Sequence, residues 1–206
     1  LRWGGGGMPR PGHQVRIGGA TGFEVGERQE GRLEFKGPSS TSGYYRNSDA
    51  TRKLFDGEWL DTGDYAYLSA GEIFLTGRVK DLIIRGGRNI YPYELEQAVG
   101  DIAGVRRGCV AVFGSADPAS GTERLVVLAE TRETDAAARE KLRRAINDCA
   151  VDLLGMPADD VVLAPPHTVL KTSSGKIRRA ASREFYERGG KGARPAPVWW
   201  QFVRLA

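Results

Sequence analysis

The stretch DLIIRGGRNIYPYELEQAVG, residues 81–100, is where the chain changes character. Its first half reads as two short strands around a turn at Gly86 and Gly87, because a glycine pair between apolar runs marks a reversal of direction. Pro92 then opens a short helix, and Gly100 ends it. Downstream, RRGCVAVFGS (106–115) and ERLVVLAET (123–131) are continuous apolar runs, the pattern of strands in a sheet covered on both faces. Thr134 or Asp135 caps the clearest helix, in which Ala138, Leu142, Ala145, Ile146, Cys149 and Leu153 form one apolar stripe; Gly155 and Pro157 stop it. A last strand, DVVLAPP (160–166), and a polar helix, RRAASREFYER (178–188), complete a small α/β domain over residues 81–188, with a central sheet flanked by helices.

Upstream the pattern is different. Short β segments, QVRIGG (14–19), GRLEFKG (31–37), EWLDTGD (58–64) and YAYLSAGEIFLTG (65–77), are separated by Gly, Pro and Asp. Period-two alternation in RLEFKG and EIFLTG sets apolar and polar side chains on opposite faces of half-buried strands, so a small sheet or distorted barrel is expected over residues 1–77. Between these segments, Ser48 or Asp49 caps a short helix carrying Leu54 and Phe55. The expected class is α+β: a β-rich subdomain, a hinge at residues 78–80, the α/β domain, and a tail from residue 189.

Composition narrows the function. At 206 residues, with 40% hydrophobic and 27% charged, the chain holds one ordinary domain or two small ones with a packed core. The net charge of +4 suits an anionic ligand, but the basic residues are spread out, which does not indicate nucleic acid. Cys109 and Cys149 lack a CxxC pattern and read as buried thiols in a reducing compartment, hence a cytoplasmic location. His13 and His167 have no ligand at metal-site spacing, so no metal site is expected. No apolar run reaches the length of a bilayer span. The absence of an initiator Met before LRWGGGGMPRPGHQVRI (1–17), and the abrupt end at RPAPVWWQFVRLA (194–206), lead us to expect a fragment of a longer protein.

VLKTSSGKIRR (169–179) holds the most pointed question, the role of Lys176. A P-loop is excluded: it needs a glycine five positions before its Gly-Lys pair and a Ser or Thr directly after, whereas Leu170 and Ile177 occupy those places.

WLDTGDYAYL (59–68), GRVKDLIIRGGRNIYPYELEQAV (77–99) and LKTSSGKIRR (170–179), in this order, resemble the late core motifs of the adenylate-forming superfamily; EGRLEFKGPSSTSGYY (30–45) resembles another of its motifs. The resemblance covers nearly the whole chain. It implies a two-step reaction, in which a carboxylate attacks the α-phosphate of ATP to give an acyl-adenylate and pyrophosphate, and a thiol then takes the acyl group. ATP and Mg2+ are implied, the metal being held mainly by an upstream part. Asp64 is matched to the family carboxylate that accepts from both ribose hydroxyls, against the alternative of an aspartate bonding its own turn. Arg78 is matched to an arginine reaching ribose or phosphate, against a plain surface arginine. Lys80 stands at the family hinge, where a few torsions swing the small domain between two poses. Lys176 is matched to the lysine that holds the substrate carboxylate and α-phosphate together, with Gly175 allowing close approach. Its alternative is a solvated lysine beside Lys171, Arg178 and Arg179, the last two assigned only to general phosphate attraction.

GGRNIYPYELE (86–96) resembles the variant found in long-chain fatty acyl-AMP ligases, which pass the acyl group to the phosphopantetheine of an acyl carrier protein rather than to free CoA. A fatty acid substrate follows from that resemblance. Gly86, Gly87 and Asn89 would then line the acceptor channel, or simply pack a tight turn. Glu94 and Glu96 read as structural. Two rival readings stay open: an acyl-CoA synthetase using CoA, and a non-catalytic module docking a carrier protein. In the tail, Trp199, Trp200 and Phe202 with Arg194 and Arg204 read as a membrane-surface contact, as the lead-in to another fused domain, or as a linker packing back on the domain. By itself the fragment is expected to be inactive.

Overall fold

The computed structural model describes residues 6–19, 21–117 and 121–189, so the tail aromatics and arginines lie outside the described residues. The chain divides into two compact units, between Leu82 and Ile83. Both mix strands and helices, and the fold is α+β.

The first unit is an antiparallel sheet. Strands β1 (Gln14–Gly18), β2 (Gly31–Lys36), β3 (Phe55–Asp56), β4 (Trp59–Ser69) and β5 (Glu72–Arg78) are ordered β1-β2-β4-β3, with β5 also paired to β4. Ile17, Leu33 and Ala66 form its small core, with Val15, Leu68 and Ile73 packed against them. The expected break between EWLDTGD and YAYL is absent, since β4 runs straight through both. It does so by a bulge. Arg32 of β2 faces Tyr65 while Glu34 faces Asp61, so Thr62, Gly63 and Asp64 all stand opposite Leu33. Thr62 Oγ1 donates to the Leu33 carbonyl at 2.9 Å and the Gly63 amide to Asp61 Oδ1 at 2.8 Å, replacing lost ladder bonds. Helix α1 (Ser48–Leu54) is capped by Asn47, not by Ser48 or Asp49: its Oδ1 accepts from the Ala50 amide at 3.0 Å. All three residues of the Asn-Ser-Asp run are good caps, so composition could not choose among them.

The second unit opens with a hairpin, β6 (Ile83–Arg85) and β7 (Arg88–Ile90), followed by α2 (Pro92–Gly100). Its central sheet is β10-β9-β8, in which β8 (Val105–Ala116) and β9 (Glu123–Thr131) are antiparallel and β10 (Asp160–Ala164) joins β9 in parallel. Helix α3 (Ala136–Leu154) precedes β10, and α4 (Arg179–Glu187) closes the described chain. Strand alternation sorts the apolar runs onto two faces. Val110, Val112, Leu125, Val127 and Leu163 pack with α2 and α3 through Leu95, Val99, Leu142 and Ile146. Ala111, Phe113, Val126, Leu128 and Ala164 pack with Val169, Ile177, Phe185 and Tyr186 on the other side. Each strand thus reads as continuously apolar because both of its faces are covered.

Asp135 is the cap of α3, accepting from the Ala138 amide at 2.8 Å, and Gly155 ends it with φ +74°. The buried stripe runs Leu142, Ile146, Ala150 and then Leu154, whereas Leu153, expected inside, is 39% exposed. A four-residue step from Ala150 reaches Leu154, so the stripe keeps its heading at the helix end. Cys109 is buried and Cys149 half-buried. Burial pushes the Cys149 thiol up, and Asp152 adds to this. No helix among the described residues is long and apolar enough to cross a membrane.

Tyr186 packs edge-on against Phe113, centroids 5.8 Å apart, and its hydroxyl donates to Asp160 Oδ2 at 2.8 Å. Burial raises its phenol above the ordinary value, and the Asp160 bond and charge raise it further. We predict that Tyr186→Phe costs about 1 kcal/mol of unfolding free energy near neutral pH. Because the folded phenol titrates above the unfolded one, that stabilisation is complete below about pH 10 and is lost as pH rises through the folded value. Denaturant titrations of both proteins across this range check it. Ile146→Ala, which empties a fully buried site, costs roughly 3 kcal/mol in the same assay.

Candidate active site

Asp64 and Arg78 face each other across β4 and β5. Arg78 Nε donates to Asp64 Oδ1 at 3.4 Å, with the two side chains 58% and 29% exposed. Asp64 is not in a turn after a strand, as the sequence suggested, but inside β4 at the edge of the bulge. The carboxylate that stabilises this bulge is Asp61, through the Gly63 amide, while the Asp64 amide donates to Thr62 Oγ1 at 3.2 Å. Among the described residues Asp64's carboxylate is engaged by Arg78 alone. The ordinary reason for an aspartate in a Thr-Gly-Asp run, bonding its own backbone, is therefore met by a different residue.

Lys80 is exposed in a single 3₁₀ turn, Val79–Asp81, at the end of the first unit. Gly86 and Gly87 form the two-residue turn of the β6–β7 hairpin, with φ +57° and +74°. Two positive φ values at the centre of a two-residue hairpin define a type I′ turn, and no atom would meet a side chain added at either glycine. Asn89 lies opposite Ile84, both exposed.

The segment carrying Lys176 is a closed loop. Lys171 and Ile177 form an antiparallel bridge, the Thr172 amide donates to the Lys176 carbonyl at 2.8 Å, and the Gly175 amide to the Thr172 carbonyl at 2.9 Å. Thr172 Oγ1 also accepts from the Lys176 amide at 3.1 Å, and the Arg178 amide donates to the Leu170 carbonyl at 2.9 Å. Gly175 has φ +80° with open space where a side chain would stand, so the backbone turn rather than close packing within the chain requires glycine here. Lys176 is exposed and its ammonium makes no ion pair among the described residues. Lys171 differs: its Nζ donates to Cys109 Sγ at 3.3 Å.

Arg179 is not available for general phosphate attraction as expected. Its Nε and Nη2 donate to Glu96 Oε1 and Oε2 at 2.8 and 2.6 Å, and Glu96, 5% exposed, also accepts from the Val112 amide at 3.0 Å. Glu130, 1% exposed, accepts from the Val169 amide at 2.8 Å and is paired with Arg106. Neither glutamate entered the expected site. The available signal was charge in an apolar setting: Glu96 adjoins Leu95 on α2, and Glu130 ends the apolar run of β9. Asp64, Arg78 and Lys80 belong to the first unit, and Gly86, Gly87, Asn89 and Lys176 to the second.

No family model matches the chain. It is 40% identical over 184 residues to a "Putative acyl-CoA synthetase" of Caulobacter vibrioides, covering 88% of this chain and 32% of that protein. It is 36% identical over 178 residues to the long-chain-fatty-acid–AMP ligase FadD26 of Mycobacterium marinum, covering 78% of this chain and 30% of that one. Among solved structures, McyG A-PCP complexed with phenylalanyl-adenylate superposes with a TM-score of 0.78 at 32% identity, covering 90% of this chain and 33% of that one. The class is thus that of adenylation proteins, and the chain belongs to the adenylate-forming superfamily, of which it represents the C-terminal part. It spans about a third of the length of the curated relatives it matches.

An exposed pair at 3.4 Å contributes little to folding. We predict that Asp64→Asn and Arg78→Ala each change the unfolding free energy by less than about 0.5 kcal/mol. A larger loss in a urea titration would mean that the pair serves the fold.

Proposed function

We propose that this chain is the closing part of an ATP-dependent carboxylate-activating ligase that makes a fatty acyl-adenylate and passes the acyl group to a phosphopantetheine thiol of an acyl carrier protein. The observation that carries the reading is Lys176, an exposed ammonium on a loop whose backbone bonds are closed on themselves. Such a side chain has three donors to offer to a carboxylate and an α-phosphate, drawing the two anions together and stabilising charge on the oxygen that comes to bridge them. Asp64 offers two acceptor oxygens for the ribose hydroxyls, and Arg78 beside it a donor fork for ribose or phosphate. Lys80 sits in the short turn we assign as the hinge, and the open Gly86–Gly87 turn with Asn89 is assigned to the acceptor's pantetheine arm. Among the described residues no group of three His, Cys, Asp or Glu side chains is placed to hold a metal ion, and the roles assigned to this chain need none.

The resemblance of residues 86–96 to the acyl-AMP ligase variant and the similarity to McyG A-PCP support the carrier acceptor, and the similarity to the acyl-CoA synthetase supports free CoA as the second reading. One experiment separates them. The full-length protein is given ATP, Mg2+ and a long-chain fatty acid, and acyl-adenylate and thioester are followed by mass spectrometry with holo carrier protein or CoA added. We predict adenylate formation, transfer to the carrier, and a loss of about a hundredfold or more in adenylation rate for Lys176→Ala. Transfer to CoA alone moves the protein to the synthetase reading. Undiminished adenylation in Lys176→Ala removes the lysine from the chemistry.

A further inference from the structure

The loop bearing Lys176 is held at both ends by buried carboxylates. At its start, the amide of Val169, itself buried, donates to Glu130 Oε1 at 2.8 Å, while Arg106 engages the other oxygen. At its end, Arg179 meets Glu96 with two parallel bonds at 2.8 and 2.6 Å, and Glu96 Oε1 also takes the Val112 amide of β8. Side chains reinforce both anchors, since Val169 and Ile177 pack into the cluster under α4 with Phe113 and Phe185. Only residues 170–176 project from these anchors, and they are closed by the Lys171–Ile177 bridge.

Burying two carboxylates is costly, and well-packed apolar residues would serve stability at least as well. What a bidentate Arg–carboxylate pair adds is geometry: the planar fork fixes the direction of the guanidinium, and through it the backbone at Arg179, three residues after Lys176. A group that must meet two anions at once loses much of its effect when displaced by about 1 Å.

We propose that Glu96 and Glu130, with Arg179, are positioning residues for Lys176: they do not touch substrate, but fix the two ends of the loop so that its ammonium is delivered in one place. The inference rests on the adenylation role assigned to Lys176. It separates the two half-reactions. Adenylation needs a precisely placed Lys176, whereas thioester formation from a preformed acyl-adenylate does not draw on it, so loss of positioning falls on the first half alone.

The test compares wild type with Glu96→Gln, Arg179→Lys and Lys176→Ala. In the 206-residue chain, amide hydrogen exchange is read at Thr172, Gly175, Lys176 and Arg178 and, as an internal reference, at Val126 and Val127 of the sheet, whose amides do not bond to Glu96. The expected result for Glu96→Gln is about tenfold faster exchange in the loop with the Val126 and Val127 amides unchanged. In the full-length protein, adenylation by Glu96→Gln falls by about tenfold while transfer from supplied acyl-adenylate to its thiol acceptor is kept. Arg179→Lys, which keeps the charge but loses the fork, shows the same split to a smaller degree, and it carries the test if Glu96→Gln does not fold. Equal acceleration of loop and sheet amides, or equal loss of both half-reactions, would make these residues structural only and overturn the proposal. Normal adenylation in Glu96→Gln and Arg179→Lys beside a crippled Lys176→Ala overturns the positioning alone. Normal adenylation in Lys176→Ala itself overturns the underlying reading as well.

Discussion

The second unit depends on one constraint: its central β8–β9 pair is buried on both faces. Val110 to Val112 and Leu125 to Ala129 are all fully removed from water. A sheet of only three strands needs other elements to cover each side, and each fully buried Val or Leu contributes about 1.5–3 kcal/mol only while that cover holds. Helices α2 and α3, with Ile83 and Ile90 of the β6–β7 hairpin, supply one side. The other side has α4 and, before it, the segment containing Val169 and Ile177. The loop that presents Lys176 is therefore not an appendage. Its two flanks are part of the cover, and only its tip is given over to solvent.

The same economy governs charge. Among the described residues three carboxylates are nearly inaccessible, and each is met by an arginine: Glu34 by Arg16, Glu96 by Arg179, Glu130 by Arg106. A lysine would supply a point charge but no planar fork, and the Glu96 site takes two guanidinium bonds and a backbone amide at once. In the first unit Arg16 answers a second carboxylate, Asp56, and lies over the Trp59 ring at 4.7 Å. Burial works against the Arg16 cation, but these bonds and charges outweigh it and leave its pKa raised. These arginines are thus committed to carboxylates of the chain itself.

How far this was readable in advance follows from range. Strand alternation and helix period are local, and they located the two apolar strands, the α3 stripe and the Gly86–Gly87 turn. Errors of one residue arose where equivalent residues compete, as in the Asn47-Ser48-Asp49 run and at the Leu153–Leu154 end of α3. The bulge at Thr62 to Asp64 was not legible, because it exists only through bonds to Leu33 on another strand. Arg179 lies 83 positions from Glu96, and no local pattern distinguishes it from its neighbour Arg178. Motif order was enough to nominate candidate site residues; the buried partners of Arg179 and of the Lys176 loop could not be read from it.

That difference bears on what a basic loop is. Four cations, Lys171, Lys176, Arg178 and Arg179, fall within nine positions, and by composition alone they form one diffuse positive patch. The structure gives them unlike environments. Arg179 is committed to a buried carboxylate and Lys171 is turned to the Cys109 sulfur. Arg178 and Lys176 are exposed, but only Lys176 lies inside the turn closed by the Thr172 bonds, so its backbone is held while its ammonium stays unspent. A patch acting by general attraction has no use for such a division. A single cation that must reach two anions does, because a fixed backbone and a free head group are what a flexible four-carbon stem needs to act at one point rather than over a surface.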